Sequence, residues 1–201
     1  MKAVVMMKGS KDEIQKIAAN WISPEEKRVI EIGCNNGHFS NLLEKKRISN
    51  YIGIDEDVDN IKEARLSHPK YKFFCAEITN NLHFLTKASL IVSLQYFQYI
   101  EDDLTILNNI LPKTKLIISV PNSPYKEYYF RWFELKGWTK RFSPFMDFKK
   151  VISIQVPRKP KKKIFLFRGV RNDFIDKKTL EVFRDVTFDN MMFNRNIERN
   201  S

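Results

Sequence analysis

The chain has 201 residues, of which 43% are hydrophobic and 13% aromatic, and this composition predicts one folded domain rather than a disordered chain. No apolar run approaches the roughly 20 residues of a membrane helix. Two cysteines and three scattered histidines argue against a disulfide framework and against a metal site, so we expect a cytoplasmic protein with no membrane contact and no bound metal.

The N-terminal region predicts a helix. The apolar piece from Ala3 to Met7 is too short for a signal-peptide core. Ser10 and Glu13 form a capping box ahead of apolar residues spaced three and four apart, which predicts a helix over residues 11–22.

Beyond residue 28, apolar strand-like runs alternate with helical segments. The expected strands are 29–32, 51–54, 71–75, 90–94 and a fifth that starts at 115, and the helical segments between them are 37–47, 58–67, 82–85 and 101–111. Repeated strand–helix units with strands rich in Ile and Val predict an α/β fold, with a mostly parallel sheet wound on both faces. Ligands of such sheets bind at the carboxyl ends of the strands.

The pattern changes after the fifth strand. Residues 125–136 predict a helix rich in aromatic side chains, and Gly137 predicts its end. Strands at 150–156 and 163–170, joined by a basic segment that contains two prolines, predict an antiparallel hairpin. We expect residues 171–201 to be an appended segment, helical over 179–188 and partly disordered over 191–199, which packs on the domain or on a second copy of the chain in a homodimer.

The charge of this basic protein is unevenly distributed. Residues 1–112 carry 14 Lys and Arg against 15 Asp and Glu, a net charge of −1, whereas residues 113–201 carry 21 against 9, a net charge of +12. This asymmetry favours an anionic partner for the second half, with the loop from Arg158 to Lys163 as the contact for RNA. A lysine-rich surface that only increases solubility is the alternative.

The most informative stretch is the end of the first strand of the alternating series. Its apolar run contains Glu31 and is followed by Gly33 and Gly37, which predicts a sharp turn into a helix. Glycine tolerates positive φ and lets backbone N–H groups approach a ligand, and the helix N-terminus favours a carboxylate or phosphate. Asn35 replaces the second glycine of a dinucleotide-binding motif, so a nicotinamide cofactor is disfavoured.

The turn resembles motif I of the class I S-adenosylmethionine-dependent methyltransferases, of the small-molecule type, in the pattern Glu/Asp-x-Gly-x-x-x-Gly. Asp55 closes the next strand about 20 residues later, at the usual place of the acid that binds the two ribose hydroxyls. The Val-Pro-Asn sequence that ends at Asn122 also resembles this family. The resemblance covers residues 10 to 170 and implies a Rossmann-like, mostly parallel seven-stranded sheet with a C-terminal antiparallel hairpin, so we expect residues 1–170 to form the methyltransferase domain.

The resemblance implies S-adenosylmethionine as the cofactor. Glu31 and the backbone of the glycine turn would meet its methionine part, Asp55 its ribose, and Glu77 and Ile78 its adenine. The residues expected to bind the cofactor are Glu31, Gly33, Cys34, Asn35, Gly37, Asp55, Glu56, Glu77, Ile78, Leu94 and Gln95.

No residue pattern identifies a catalytic base. The candidates for the acceptor side are His38, Tyr96, Tyr99, Asn122 and Tyr125. His38 in helix-start packing, and the others in aromatic core and turn structure, are the alternatives.

Three functions are compatible with the sequence. The first is methyl transfer to an oxygen or nitrogen of a small-molecule substrate, which the positive charge allows to be anionic. The second is RNA methylation through the basic half of the chain. The third is a non-catalytic interaction protein that retains the fold, since Asn35 departs from the family pattern.

Overall fold

The computed structural model describes residues 5–123, 131–159 and 161–175. Eight strands form one sheet: β1 (Val5–Lys8), β2 (Val29–Ile32), β3 (Tyr51–Asp55), β4 (Lys72–Cys75), β5 (Leu90–Leu94), β6 (Lys115–Pro121), β7 (Met146–Gln155) and β8 (Lys163–Arg171). The helices are α1 (Lys11–Asn20), α2 (Ser40–Lys45), α3 (Val58–Ser67), α4 (Asp103–Asn109) and α5 (Leu135–Phe142). Short 3-10 turns at Ile78–Asn80, Leu82–Lys87 and Phe97–Tyr99 complete the described elements.

The order in which the chain adds strands to the sheet reverses at the middle of the sheet. The order is β1-β7-β8-β6-β5-β2-β3-β4, with every neighbouring pair parallel except β6–β8 and β7–β8. The chain leaves β2 toward β3 and β4 on one side and then returns to β5 on the other side. Ligands of doubly wound sheets bind at such a reversal, here at the carboxyl ends of β2 and β5.

Two apolar cores cover the two faces of the sheet. Ile30 faces the core that contains α4 and α5, whereas its neighbour Val29 faces the core that contains α1, α2 and α3. This alternation follows from the two-residue period of a strand. Within the described residues, no helix combines the length and apolar character that crossing a bilayer requires.

The predicted fold class is confirmed, with one more strand than expected. The residues from Val5 to Lys8 pair in parallel with β7 through Val5 and Ile152, so the sheet has eight strands instead of seven. The side chain of Met6 is 73% exposed because β1 is an edge strand with solvent on most sides.

The helix predicted before the hairpin is wrong in part. Residues 124–130 lie outside the described chain, residues 131–134 are not helical, and the helix observed is α5. Gly137 lies inside α5 instead of ending it, and a Cβ at this position would approach the Phe133 Cβ within 2.7 Å. The glycine therefore allows Phe133 to pack against the helix. The helix and disorder predicted within residues 179–199 also lie outside the described residues.

Candidate active site

The turn after β2 has a left-handed backbone at alternate residues. Gly33, Asn35 and Gly37 have φ angles of +73°, +50° and +78°. The amides of Gly33 and Cys34 donate to the Ile54 carbonyl at 2.8 and 3.1 Å, which ties the turn to β3. Asn is one of the few residues besides glycine that adopt positive φ readily. Asn35 therefore preserves the backbone shape that the missing glycine would give.

Asp55 joins the turns that follow β2 and β3. Its Oδ2 accepts from the Asn35 amide at 2.8 Å, its Oδ1 accepts from the Asp57 amide at 3.0 Å, and the residue is 8% exposed. An ionised carboxylate has about four acceptor positions, so two remain available for hydroxyl donors. The two turns are thereby held around an acid that can accept the hydrogen bonds of a ribose.

Glu31 is a second buried acid beside the turn. It is 2% exposed, and the Tyr51 hydroxyl donates to its Oε2. Burial, followed by the nearby charges of Glu31 and Asp55, raises the pKa of the Cys34 thiol far above its usual value. Cys34 is therefore a neutral packing residue, and the charge at the base of the turn is that of the carboxylates.

Tyr96 lies directly against Gly33. A Cβ at Gly33 would come within 2.3 Å of the Tyr96 Cγ, so the absence of a side chain at the glycine is what admits the ring. Burial raises the pKa of the Tyr96 hydroxyl above its usual range, and Glu56, Asp55 and Glu77 add to the effect. Tyr96 is a candidate for the acceptor side, and the structure places its ring against Gly33 in the turn after β2.

The residues expected around adenine divide into buried and exposed ones. Ile78 is 1% exposed and packs in the core. The Glu77 carboxylate accepts from Thr79 Oγ1 at 2.5 Å and from Asn80 Nδ2 at 2.7 Å. Phe74, three residues before Glu77, has a side chain that is 37% exposed, and its ring lies 5.0 Å from that of Phe84.

The turn after β5 is also strained. Gln95 has a φ of +62°, and its amide donates to Ser119 Oγ at 2.9 Å. Gln98, which the sequence did not single out, is fully buried and donates from Nε2 to the Gln95 carbonyl at 2.6 Å. The ring of Tyr99 lies 6.4 Å from that of Tyr96. These contacts fix the backbone at the end of β5, where Leu94 is buried in the core that contains α1, α2 and α3.

Asn122 has a structural role that the sequence did not reveal. Its Oδ1 accepts from the Lys163 amide at 2.6 Å, and its Nδ2 donates to the Lys161 carbonyl and to Glu134 Oε1, each at 3.0 Å. The side chain is therefore occupied in holding the loop between β7 and β8. Tyr125, the other candidate after β6, lies outside the described residues.

His38 lines a cavity between α1 and α2. The cavity has a volume of about 500 Å³, and Asp12, Gln15 and Asn41 also line it. The structure thus groups His38 with residues of α1 and α2. The described residues contain no group of three or more His, Cys, Asp or Glu side chains placed to hold a metal ion.

Comparison with known proteins identifies the family. A family model described as "Methyltransferase domain" matches residues 7–168. The chain therefore belongs to this methyltransferase-domain family. Together with the Rossmann-like sheet, this membership makes the protein a class I S-adenosylmethionine-dependent methyltransferase.

Solved structures with the same fold are distant in sequence. The N-methyltransferase NodS from Bradyrhizobium japonicum WM9, in complex with S-adenosyl-L-homocysteine, is 16% identical, with a TM-score of 0.62 over 80% of this chain and 85% of that chain. A TehB-like methyltransferase from Corynebacterium glutamicum is 13% identical, with a TM-score of 0.61 over 79% and 88%. A complex of the Haloferax volcanii Trm112 methyltransferase activator with a methyltransferase is 14% identical, with a TM-score of 0.63 over 81% of this chain and 90% of that chain. No curated protein matches the chain.

Proposed function

We propose that this methyltransferase transfers the methyl group of S-adenosylmethionine to an oxygen or nitrogen of a small-molecule substrate. The observation that carries the proposal is the pair of buried acids on neighbouring strands, Glu31 and Asp55, on either side of a turn with three left-handed residues. Buried carboxylates are costly unless they bind positive or hydrogen-bonding groups, and the methionine and ribose parts of the cofactor supply both kinds.

The residues present fit the cofactor. The Asp55 carboxylate has acceptor capacity left after its two backbone hydrogen bonds, which suits the two ribose hydroxyls. Glu31 and the backbone of residues 33–35 would hold the ammonium and carboxylate groups. Tyr96 closes the space over Gly33 and would form one wall beside the sulfonium. When bound, the cofactor supplies an electrophilic methyl group, so the protein has to position the acceptor and exclude water.

The protonation state of Tyr96 limits the chemistry. Because the pKa of its hydroxyl is raised, Tyr96 is neutral near pH 7 and can donate a hydrogen bond but does not act as a general base. An acceptor that arrives as a neutral amine or an ionised oxygen needs no base from the protein. We therefore infer that the substrate carries such a nucleophile.

The experiment follows a radioactive methyl group into the fractions of a cell extract. Labelled S-adenosylmethionine is incubated with the protein and either the small-molecule filtrate or the RNA fraction. We expect label in products of the filtrate and none with Asp55→Asn, which weakens the ribose contact. Label in the RNA fraction alone would contradict the small-molecule assignment.

RNA is the second candidate because of the basic loop, defined as residues 158–163. It carries five cations, and residues 148–171 contain no acid. The bonds of Asn122 hold this loop at the edge of the sheet where β5 and β6 end. The start of β8 is two strands from β5, or roughly 10 Å at the usual strand spacing. Exposed lysines bind single phosphates weakly but add up along a polyanion.

A salt titration tests this candidate. For RNA binding, the logarithm of affinity should fall linearly with the logarithm of salt concentration, and Lys161→Ala should reduce the slope by about 1. Lys72→Ala is the control, because that exposed lysine lies on β4, the outermost strand of the sheet, five strands away from β8. Equal effects of the two substitutions would exclude a specific role for the basic loop.

We further propose that residues 1–170 form the methyltransferase domain of a cytoplasmic protein and that residues 171–201 are an appended segment. This segment would pack on the domain or on a second copy of the chain. Sedimentation equilibrium of the full chain distinguishes the two arrangements, since only the second gives a homodimer.

A further inference from the structure

We propose that Tyr51 is a positioning residue that holds Glu31 for the ammonium group of the cofactor. This inference rests on the proposed function. Tyr51 is the first residue of β3 and is 2% exposed, and its hydroxyl donates to Glu31 Oε2. Glu31 is 2% exposed as well. This hydrogen bond joins Glu31, the acid of the motif I resemblance, to Tyr51, which lies outside that motif.

The strand register explains how the phenol reaches the acid. Gly53 lies opposite Glu31, and Tyr51 lies opposite Val29, two positions lower on the same face of the sheet. Two residues of a strand span about 7 Å, which is close to the length of a tyrosine side chain. A tyrosine at this register therefore brings its hydroxyl level with the acid.

The space beside the acid leaves no room for another side chain. A Cβ at Gly53 would come within 2.7 Å of the Phe73 ring and 2.8 Å of the Cys34 sulfur. The Tyr51 ring contacts Tyr71 and Phe73 edge-to-face, with centroids 5.2 and 5.9 Å apart. The ring is thus fixed on two sides, and the position of its hydroxyl is set by the packing of the core.

The hydrogen bond favours the charged form of the acid. A donor to a buried carboxylate offsets part of the cost of burying its charge. Burial and the adjacent Glu31 raise the pKa of the Tyr51 hydroxyl well above its usual range, so the phenol remains a donor. Tyr51 thereby donates to Glu31 from a fixed position and holds the acid in one orientation, ready for a cation at the turn.

The test compares two ligands and two variants. S-Adenosylhomocysteine carries the ammonium group, whereas 5′-methylthioadenosine has the same nucleoside and sulfur without the amino acid. Tyr51→Phe removes the hydroxyl and keeps the ring. The matched control is Tyr71→Phe, because that hydroxyl donates at 2.8 Å to the Ile48 carbonyl, away from the acid, and its ring contacts Tyr51.

We expect Tyr51→Phe to weaken S-adenosylhomocysteine binding about tenfold, the typical effect of a hydrogen bond to a charged group, and to leave methylthioadenosine binding unchanged. Tyr71→Phe should change the affinity for neither ligand. Calorimetry measures the affinity of each variant for each ligand.

Each other outcome overturns a defined part of the inference. Equal losses for the two ligands, or equal losses in the two variants, would show that Tyr51 only supports the fold. Unchanged binding of both ligands by Tyr51→Phe would exclude the positioning role and leave the proposed function intact. Failure of the unaltered protein to bind either ligand would remove the proposed function itself.

A second variant distinguishes loss of the hydrogen bond from misfolding of Tyr51→Phe. In the Glu31→Gln background the carboxylate charge is absent, so adding Tyr51→Phe should cause no further loss of S-adenosylhomocysteine affinity. A further loss comparable to that in the unaltered background would contradict the coupling of the two residues.

Discussion

Replacing Gly33 by alanine tests the geometry of the turn without any ligand. A non-glycine residue held at a φ of +73° costs roughly 1–2 kcal/mol. The new Cβ would also lie 2.3 Å from the Tyr96 Cγ and 2.6 Å from its Cβ, so the ring has to move. Such overpacking costs roughly 1–3 kcal/mol. The free energy of unfolding should therefore fall by about 2 to 5 kcal/mol.

A double-mutant cycle separates the two contributions. In a Tyr96→Ala background the collision is absent, so Gly33→Ala should cost only the backbone component, about 1 to 2 kcal/mol. Gly37→Ala is the control: its φ is +78°, but the nearest atoms belong to Phe73 and His68. Its cost should therefore be the same with and without the Tyr96 ring.

Urea unfolding followed by circular dichroism measures the four stabilities of each cycle. Additive costs of Gly33→Ala and Tyr96→Ala would show that the ring does not lie on the glycine. A Gly33→Ala cost below about 1 kcal/mol would refute the left-handed backbone at this position.

Three further predictions concern the buried groups. Cys34 is buried and the pKa of its thiol is raised, whereas Cys75 is exposed, so a thiol reagent at neutral pH should modify Cys75 alone. Mass spectrometry measures this selectivity, and rapid modification of Cys34 would contradict its burial. The pKa values of the Cys34 thiol and the Tyr51 hydroxyl are raised in the folded protein, so above about pH 9–10 the unfolded chain releases protons that the folded chain keeps. The stabilisation is therefore complete below this pH range. Above it, the free energy of unfolding should fall by about 1.4 kcal/mol per pH unit for each group. Urea unfolding of Tyr51→Phe should show a shallower fall, and an unchanged slope would contradict the raised pKa. Asp103 is fully buried, accepts hydrogen bonds from Arg141, and has its Oδ1 3.1 Å from Arg131 Nη1. Asp103→Asn should therefore lower the free energy of unfolding, measured thermally or in urea, by about 3 to 5 kcal/mol. A loss under 1 kcal/mol would exclude a central role for this ion cluster.

The sequence predicts the centre of the sheet well. It predicts β5 and α3 with the bounds that the structure shows, because buried strands form short apolar runs and α3 has a capping aspartate at Asp57. The glycine turn and Asp55 are likewise placed together by their positions at the ends of neighbouring strands. These features are local in sequence or follow from a regular alternation of elements.

The edges of the fold are harder to predict because distant contacts decide them. Four mostly exposed residues form β1, and their partners in β7 follow almost 150 residues later. Gly137 lies within α5 because Trp138 and Phe142 of this helix are buried in the core, and this packing overrides the tendency of the glycine to end a helix. Neither effect leaves a periodic pattern that a single sequence would show.

The sequence indicates candidate site residues but not the contacts that they make. Tyr51 has the pattern of an ordinary core residue, and only the register of β3 against β2 shows that its hydroxyl meets Glu31. Asn122 matches a family sequence, yet its amide is used to hold the basic loop. Hydrogen-bond partners that come from different elements require the three-dimensional structure.

The most direct measurement is calorimetric titration of S-adenosylhomocysteine into the unaltered protein, Asp55→Asn and Asp57→Asn. Asp57 caps α3 and is exposed, so it provides the same chemical change two residues beyond Asp55. We predict one binding site per chain, a loss of at least about tenfold in affinity for Asp55→Asn, and no change for Asp57→Asn. Absence of binding near millimolar ligand, or equal affinities in all three proteins, would contradict a cofactor held between the glycine turn and Asp55.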